Sequence, residues 1–408
     1  MYINNHQNIL AKKKGLLAKA VGDIFPGDCA LEGVGICSQM KRYGSDFPFK
    51  KLGGMLDGAD LLMGNLEGAI SRSCVKKSLR LCGLPEVAVA LRRVGFKVLS
   101  MANNHSFDHG PEIFNETLHH CEEAGLKICG LRGDSNYYSQ PVIVEINSIT
   151  VGVLAYNWVV FEAGGAMGKH IAIVEDSVVN YTWNRNPYQD KKARTLVKEK
   201  NKNVIHDIKR LRKEVDILIL MPHWGYEWTI YPPFGVMLEA RTFINMGVDL
   251  IIGSHPHVPQ GIEKYKNGLI VYSLGNFLFD GYTKKFQNGM VLKCTIKPGS
   301  IESYDYFFIR RGRHFQPELA SEKEQKKNRQ LIDLSNKAIS SKDAERLLND
   351  DLIYREYERQ YKLIKLKKIY YLFVSLLKNP FLIIPIYKKV VNLFYLIVLR
   401  LKGKKIRW

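Results

Sequence analysis

No G-x-x-x-x-G-K-[ST] and no G-x-G-x-x-G stretch occurs in the 408 residues, so nothing argues for a nucleotide-cradling fold. The seven cysteines, at 29, 37, 74, 82, 121, 129 and 294, include no C-x-x-C pair and no zinc-finger spacing. For that odd set, reduced thiols in a reducing compartment are the simplest account. The first residues, MYINNHQNILAKKKGLLAKAVGDIF, lack a signal peptide, because only a few apolar residues separate the lysines from Gly22-Asp23. A cytoplasmic chain is expected. No repeat of 20 to 50 residues is visible, and no uninterrupted apolar run reaches the ~18–20 residues that crossing a bilayer needs. Acidic residues are missing altogether from Tyr361 to Trp408.

What is present is ordinary globular composition, 46% hydrophobic and 25% charged, with a formal net charge of +20. At 408 residues the chain exceeds the ~100–200 residues of one domain, so a large domain plus an appendage is expected. The charge is concentrated: ten lysines and two arginines after residue 360 supply +12 of it. The same stretch is strongly apolar in three runs, 369–377, 381–387 and 390–399, each broken by Lys, Asn or Pro. Such a segment lies on an anionic membrane surface, with aromatic residues at the headgroup boundary and lysines on the lipid charge, or else packs as a helical hairpin. No RNA-binding motif accompanies the charge, so no nucleic-acid partner is expected.

The first two thirds alternate short apolar runs with helical stretches. LLAKAVGDIF, DLLMGNLEG, KVLSMANNH, TVGVLAYN, DILILMPHWG, DLIIGSHPH and GLIVYSLGNF each bring an apolar run to a stop at Gly, Asn, His or Asp, and helix-like EVAVALRRVG, IFNETLHHCEEAG and NVIHDIKRLRKEV lie between several of them. This order predicts an α/β sandwich with ligands gathered at the carboxyl ends of strands. From Gln316 the pattern becomes charged and helical without strand signal, a linker or packing helix. The expected divisions are 1–16, a domain over 17–315, a charged helical linker over 316–360 and the basic tail over 361–408.

The strand ends collect Asp23, Asn65 with Glu67, Asn103-Asn104-His105, His223, and His255 with His257. In an extended backbone His255 and His257 project to one face, so two imidazoles can meet one point while Pro256 stiffens the link. Taken singly each residue fits a bland role: a turn cap at Asp23, a solvated carboxylate at Glu67, a hydrogen-bonded core histidine at His223, a surface turn at His255 and His257. Carboxylate, amide oxygen and imidazole together make a mixed N/O set suited to Mn, Fe, Zn or Mg.

The motifs VGDIFPGD, NLEGAIS, ANNHSFDHG, HWGYEW, GSHPHVPQGIE and YSLGNFLFD resemble, in order and wording, the capsule-synthesis family of poly-γ-glutamate biosynthesis proteins (CapA), over about Leu17 to Phe308. The resemblance implies a calcineurin-like metallophosphoesterase fold, an αββα sandwich, here with a helical carboxyl-terminal extension. It implies Asp23, Glu67, Asn104, His223, His255 and His257 as ligands of one or more divalent metals, Glu67 bridging, and His105 as general acid. Phe25 stands where that pattern has a histidine, which leaves one metal position short of a ligand. Asn65, Asn103, Glu227, Tyr272, Ser273 and Asn276 are expected to line the pocket, and the Gly-rich stretch 157–170 to cover it. The implied activity is metal-dependent hydrolysis of a phosphoester or γ-glutamyl-type bond in surface-polymer synthesis; the alternative is an inactive scaffold of a membrane-bound synthesis complex. Better-known members carry an amino-terminal anchor and face outside, whereas this sequence places its membrane signal at the other end, on the inner face of the cytoplasmic membrane.

Overall fold

The computed structural model describes residues 15–28, 35–74, 82–159, 172, 201–280 and 288–378, with side chains beyond Ile364 described only at Leu366. Its strands are β1 (Leu16–Ile24), β2 (Leu61–Leu66), β3 (Ala69–Ile70), β4 (Cys82–Gly83), β5 (Phe96–Ser100), β6 (Lys127–Cys129), β7 (Val142–Ile146) and β8 (Ile149–Asn157). They continue with β9 (Ile217–His223), β10 (Leu250–Ile252), β11 (Ile262–Tyr265), β12 (Gly268–Val271), β13 (Asn276–Leu278), β14 (Asn288–Lys297), β15 (Ser300–Arg311) and β16 (Pro317–Leu319). One sheet has the order β16-β15-β14-β1-β2-β5-β6 with β13 beside β1; the other runs β11-β12-β10-β9-β8-β7.

Period-two alternation along these strands separates three apolar layers. In β9, Ile217, Ile219 and Met221 face the layer shared with Ala18, Ala20, Leu61 and Met63 of the first sheet, so the two sheets pack face to face. Leu218 and Leu220 point the other way, against α4 (Lys202–Leu211) and α5 (Phe234–Asn245). On the far side of the first sheet, Leu62 and Leu99 meet α1 (Ile36–Tyr43), α2 (Glu86–Val94) and α3 (Pro111–Glu123). The result is the αββα sandwich expected from the sequence.

Residues 316–360 supply β16 at the sheet edge and α6 (Glu322–Ser340), which starts with a capping box between Ser321 and Glu324. Ile332 and Ile339 of that helix are buried in the core. After α7 (Ala344–Leu347), α8 (Asp350–Lys378) is one continuous helix across the expected boundary at 360. The chain divides into two compact units, the first running to Tyr357 and the second taking the chain from Glu358. Among the described residues, no helix is long and apolar enough to cross a membrane. The apolar runs 381–387 and 390–399 lie outside the described residues, as do residues 160–170 of the expected covering loop.

One expectation from the cysteines fails. Cys74 and Cys82 form a disulfide, while Cys121, Cys129 and Cys294 are free. The pairing across residues 75–81 arises because β3 and β4, only two residues each, align Ala69 with Cys82 and Ile70 with Gly83.

Close approach fixes the end of β1. The Asp23 amide donates to the Gly275 carbonyl at 2.9 Å, and a Cβ on Gly22 would meet that same oxygen at 1.8 Å. Gly22→Ala is therefore expected to lower unfolding free energy by about 2 kcal/mol or more in urea denaturation, because the β1–β13 contact has no room to relax. An unchanged midpoint would show that the two segments can separate.

Candidate metal centre

The parallel strands of both sheets deliver their carboxyl ends to one place. Asp23 closes β1, Glu67 follows β2, and Asn103, Asn104 and His105 follow β5; from the other sheet His223 closes β9, and His255 and His257 follow β10. Asp23, Glu67, Asn104, His223, His255 and His257 are all buried.

Two donor groups result, sharing Glu67. One is Asp23, Glu67 and His257; the other is Glu67, His223 and His255, and within each the ligand atoms lie within 4.8 Å of one another. Asn104 Oδ1 sits 2.7 Å from His223 Nε2, so its amide oxygen joins the second group. Both carboxylate oxygens of Glu67, His255 Nδ1 and Asn104 Nδ2 are buried without a hydrogen-bond partner. Buried polar atoms are ordinarily satisfied, so this set of orphans fits residues shaped to hold a cation.

Outer contacts orient the donors. Asn65 Nδ2 donates to Asp23 Oδ1 at 2.9 Å, while Asn103 Nδ2 donates to Asn65 Oδ1 and to the Leu66 carbonyl. His223 Nδ1 meets Ser254 Oγ at 2.9 Å, and His257 Nδ1 meets Asn276 Oδ1 at 2.9 Å and Asp23 Oδ2 at 3.3 Å. Such contacts fix ring orientation and leave the opposite nitrogen for a metal. His105 Nδ1 lies 2.9 Å from Asp108 Oδ2.

Burial sets the charge states. It pushes the Glu67 carboxyl well up, with Asp23 adding to the rise against the pull of His257. Burial, reinforced by neighbouring imidazoles, holds His223 and His255 far below the usual histidine range, so both are neutral. Burial would also lower His257 and His105, but the Glu67 and Asp23 carboxylates raise the first and Asp108 raises the second.

His255 and His257 do not share one face of an extended strand. Their φ angles are 95° and 57°, in the left-handed region, and their rings are 6.1 Å apart, each in a different donor group. Alternating positive φ breaks the period-two geometry that the H-x-H spacing suggests. The loop is pinned by the Trp228 amide, itself at φ 65°, donating to the Pro256 carbonyl at 2.7 Å.

Of the expected pocket residues, Asn65, Asn103 and Asn276 stand directly behind the donors, and Glu227 Oε1 lies 3.9 Å from His257 Nε2. Tyr272 does not reach the centre: its ring is buried in the outer core near Trp224, and its hydroxyl donates to Glu263 at 2.7 Å. Ser273 Oγ accepts from the Gly275 amide and shapes the turn. Sequence reasoning missed Asp108 and Ser254; the spacing His105 to Asp108 within HSFD was the available signal for the first.

Residues 19–281 match the family model described as bacterial capsule synthesis protein PGA_cap. The chain is 30% identical over 278 residues to the capsule biosynthesis protein CapA of Bacillus anthracis, covering 66% of this chain and 62% of that one. It is 27% identical over 282 residues to the PGA biosynthesis protein CapA of Bacillus subtilis (strain 168), covering 68% and 67% respectively. A probable polyglutamine synthesis accessory protein of Mycobacterium tuberculosis (strain ATCC 25618 / H37Rv) is 24% identical over 204 residues, 48% of each chain. The match thus spans about two thirds of the two CapA relatives.

A cation entering the centre must displace protons, because Glu67 and His257 both hold theirs to higher pH than usual. Manganese or zinc uptake, read by elemental analysis, is expected to strengthen from roughly pH 6 to 8 and to collapse in a His255→Ala/His257→Ala double variant. Equal metal content in both proteins would remove the centre.

Proposed function

Because the chain belongs to the bacterial capsule synthesis protein family, we propose that it acts in the biosynthesis of a bacterial surface polymer, capsular or poly-γ-glutamate, as a metal-dependent hydrolase. The favoured bond is a phosphoester, with a γ-glutamyl-type amide as the other candidate. The observation that carries this reading is Glu67, buried and shared by two donor groups, with the His105–Asp108 pair alongside.

Asp23, Glu67, Asn104, His223, His255 and His257 would hold one or two divalent cations of the Mn, Fe, Zn or Mg class. When bound, such a cation supplies Lewis acidity toward a phosphoryl or carbonyl oxygen and activates water. The chain's own residues supply the rest. Against the lowering effect of burial, Asp108 beside His105 Nδ1 raises the imidazole's pKa and so favours the protonated ring, whose Nε2 proton can pass to a leaving group. Neutral His223 and His255 keep their lone pairs for coordination.

A second reading is favoured by Phe25. Its ring packs 5.4 Å from Phe279, which lies 4.9 Å from His257, so an apolar wall occupies the flank of the Asp23 group and leaves it three donors. A centre kept for structure, in a scaffold of the synthesis machinery, accounts for that.

Hydrolysis of a generic aryl phosphodiester with added manganese separates the two. For the enzyme, His105→Ala is expected to lower kcat by about 10²–10⁴-fold with metal retained. Asp108→Asn should move the alkaline limb of the pH profile downward, since a general acid works protonated and loses the carboxylate that raises its pKa. Absence of turnover with every metal of the class would leave the scaffold.

The second part of the proposal concerns residues 361–408, read as a peripheral anchor to an anionic membrane on its inner, cytoplasmic face. Its charge of +12 without a single acid, together with interrupted apolar runs, provides the two signals that lasting attachment needs. A chain ending at Gln360 is expected to lose flotation with anionic vesicles and to keep its metal. Flotation of the truncated chain would assign membrane binding elsewhere, and an oxidised Cys74–Cys82 pair in cells would move the protein to an oxidising face.

A further inference from the structure

Away from Glu67 a different donor set comes together. Cys74, Cys82 and His109 each offer one ligand atom, and the three atoms lie within 4.8 Å of one another. All three side chains are half-buried, within reach of small molecules. We propose that reduction of the Cys74–Cys82 disulfide converts this corner into a thiolate metal site, Cys74–Cys82–His109, for a soft divalent cation of the zinc type.

The frame around the two sulfurs does not depend on the bond between them. Cys82 is held in β4 by pairing with β3, and the Ser71 amide donates to the Gly83 carbonyl at 3.1 Å. On the other side, the Ser73 amide donates to Ser71 Oγ at 2.8 Å, and that hydroxyl donates to Glu116 on α3 at 2.8 Å. His109 sits in a turn closed by the Gly110 amide on the Phe107 carbonyl. Opening the disulfide therefore leaves both thiols close to the imidazole.

The chemistry balances simply. Two molecules of a small thiol reduce the disulfide, giving two protein thiols and the small thiol's own disulfide; the cation then displaces both thiol protons. Two thiolates and one imidazole prefer zinc to the harder cations that suit the oxygen-rich neighbourhood of Glu67, and three protein ligands leave one position open. His109 directly follows Asp108, the partner of His105, so a cation held here bears on the loop that orients the proposed acid.

Cobalt added to the full-length protein tests the site, because a thiolate-to-cobalt charge-transfer band in the near ultraviolet cannot arise from the sulfur-free centre around Glu67. The band is expected only after reduction, displaced by zinc, lost in Cys82→Ser, weakened in His109→Ala and kept in Cys37→Ser. The oxidised wild-type protein serves as a control that needs no variant. A reduced wild-type protein without the band, or a band untouched by Cys82→Ser, would overturn the assignment.

Discussion

A carboxylate removed from water without a donor to meet it is among the costliest groups a protein can bury, and Glu67 is in that position with both oxygens. The chain around it is arranged as though to answer that cost. Asp23 is held by Asn65, His257 by Asn276 and Asp23, and His223 by Ser254, so these neighbouring donors are already oriented while both Glu67 oxygens stay unanswered. Burial favours the protonated carboxyl, and a bound cation would favour the carboxylate that both donor groups share. The rest of the centre depends on that single placement.

Much of this was legible in the sequence, because strand alternation and strand ends are local properties. The apolar runs ending in polar residues became β1, β2, β5, β8, β9, β10 and β12, and the residues at or just past the ends of β1, β2, β5, β9 and β10 met. What was not legible depends on backbone angles or distant pairing. Nothing in H-x-H announces φ angles of 95° and 57°, which divide His255 and His257 between two donor groups. The Cys74–Cys82 disulfide rests on the pairing of two strands of two residues each, too short to leave a pattern. Tyr272 was misplaced for a reason parity could have shown: Ile270 belongs to the outer layer and Leu269 and Val271 to the inner, so Tyr272 continues outward.

Strain gathers where the two histidine-bearing loops meet. Trp228, His255 and His257 all adopt left-handed backbone, and the Trp228 amide ties one loop to the other through Pro256. Outside the tie, Tyr226 and Trp228 pack on Tyr354 and Tyr357 of α8, with Trp228 and Tyr357 rings nearly parallel at 14°. An unfavourable backbone of this kind persists only where its surroundings over-determine it. The aromatic packing and the loop-to-loop hydrogen bond are those surroundings.

The donors are sorted by chemistry between the sheets: Asp23, Glu67 and Asn104 come from one, all three ligand histidines from the other. Either sheet alone offers half a vocabulary, oxygens without imidazoles or imidazoles without oxygens. The mixed oxygen and nitrogen set exists only where the two sheets meet. A centre of this composition is thus a property of the interface, and it would report the joining of the two inner apolar faces to any cation it held.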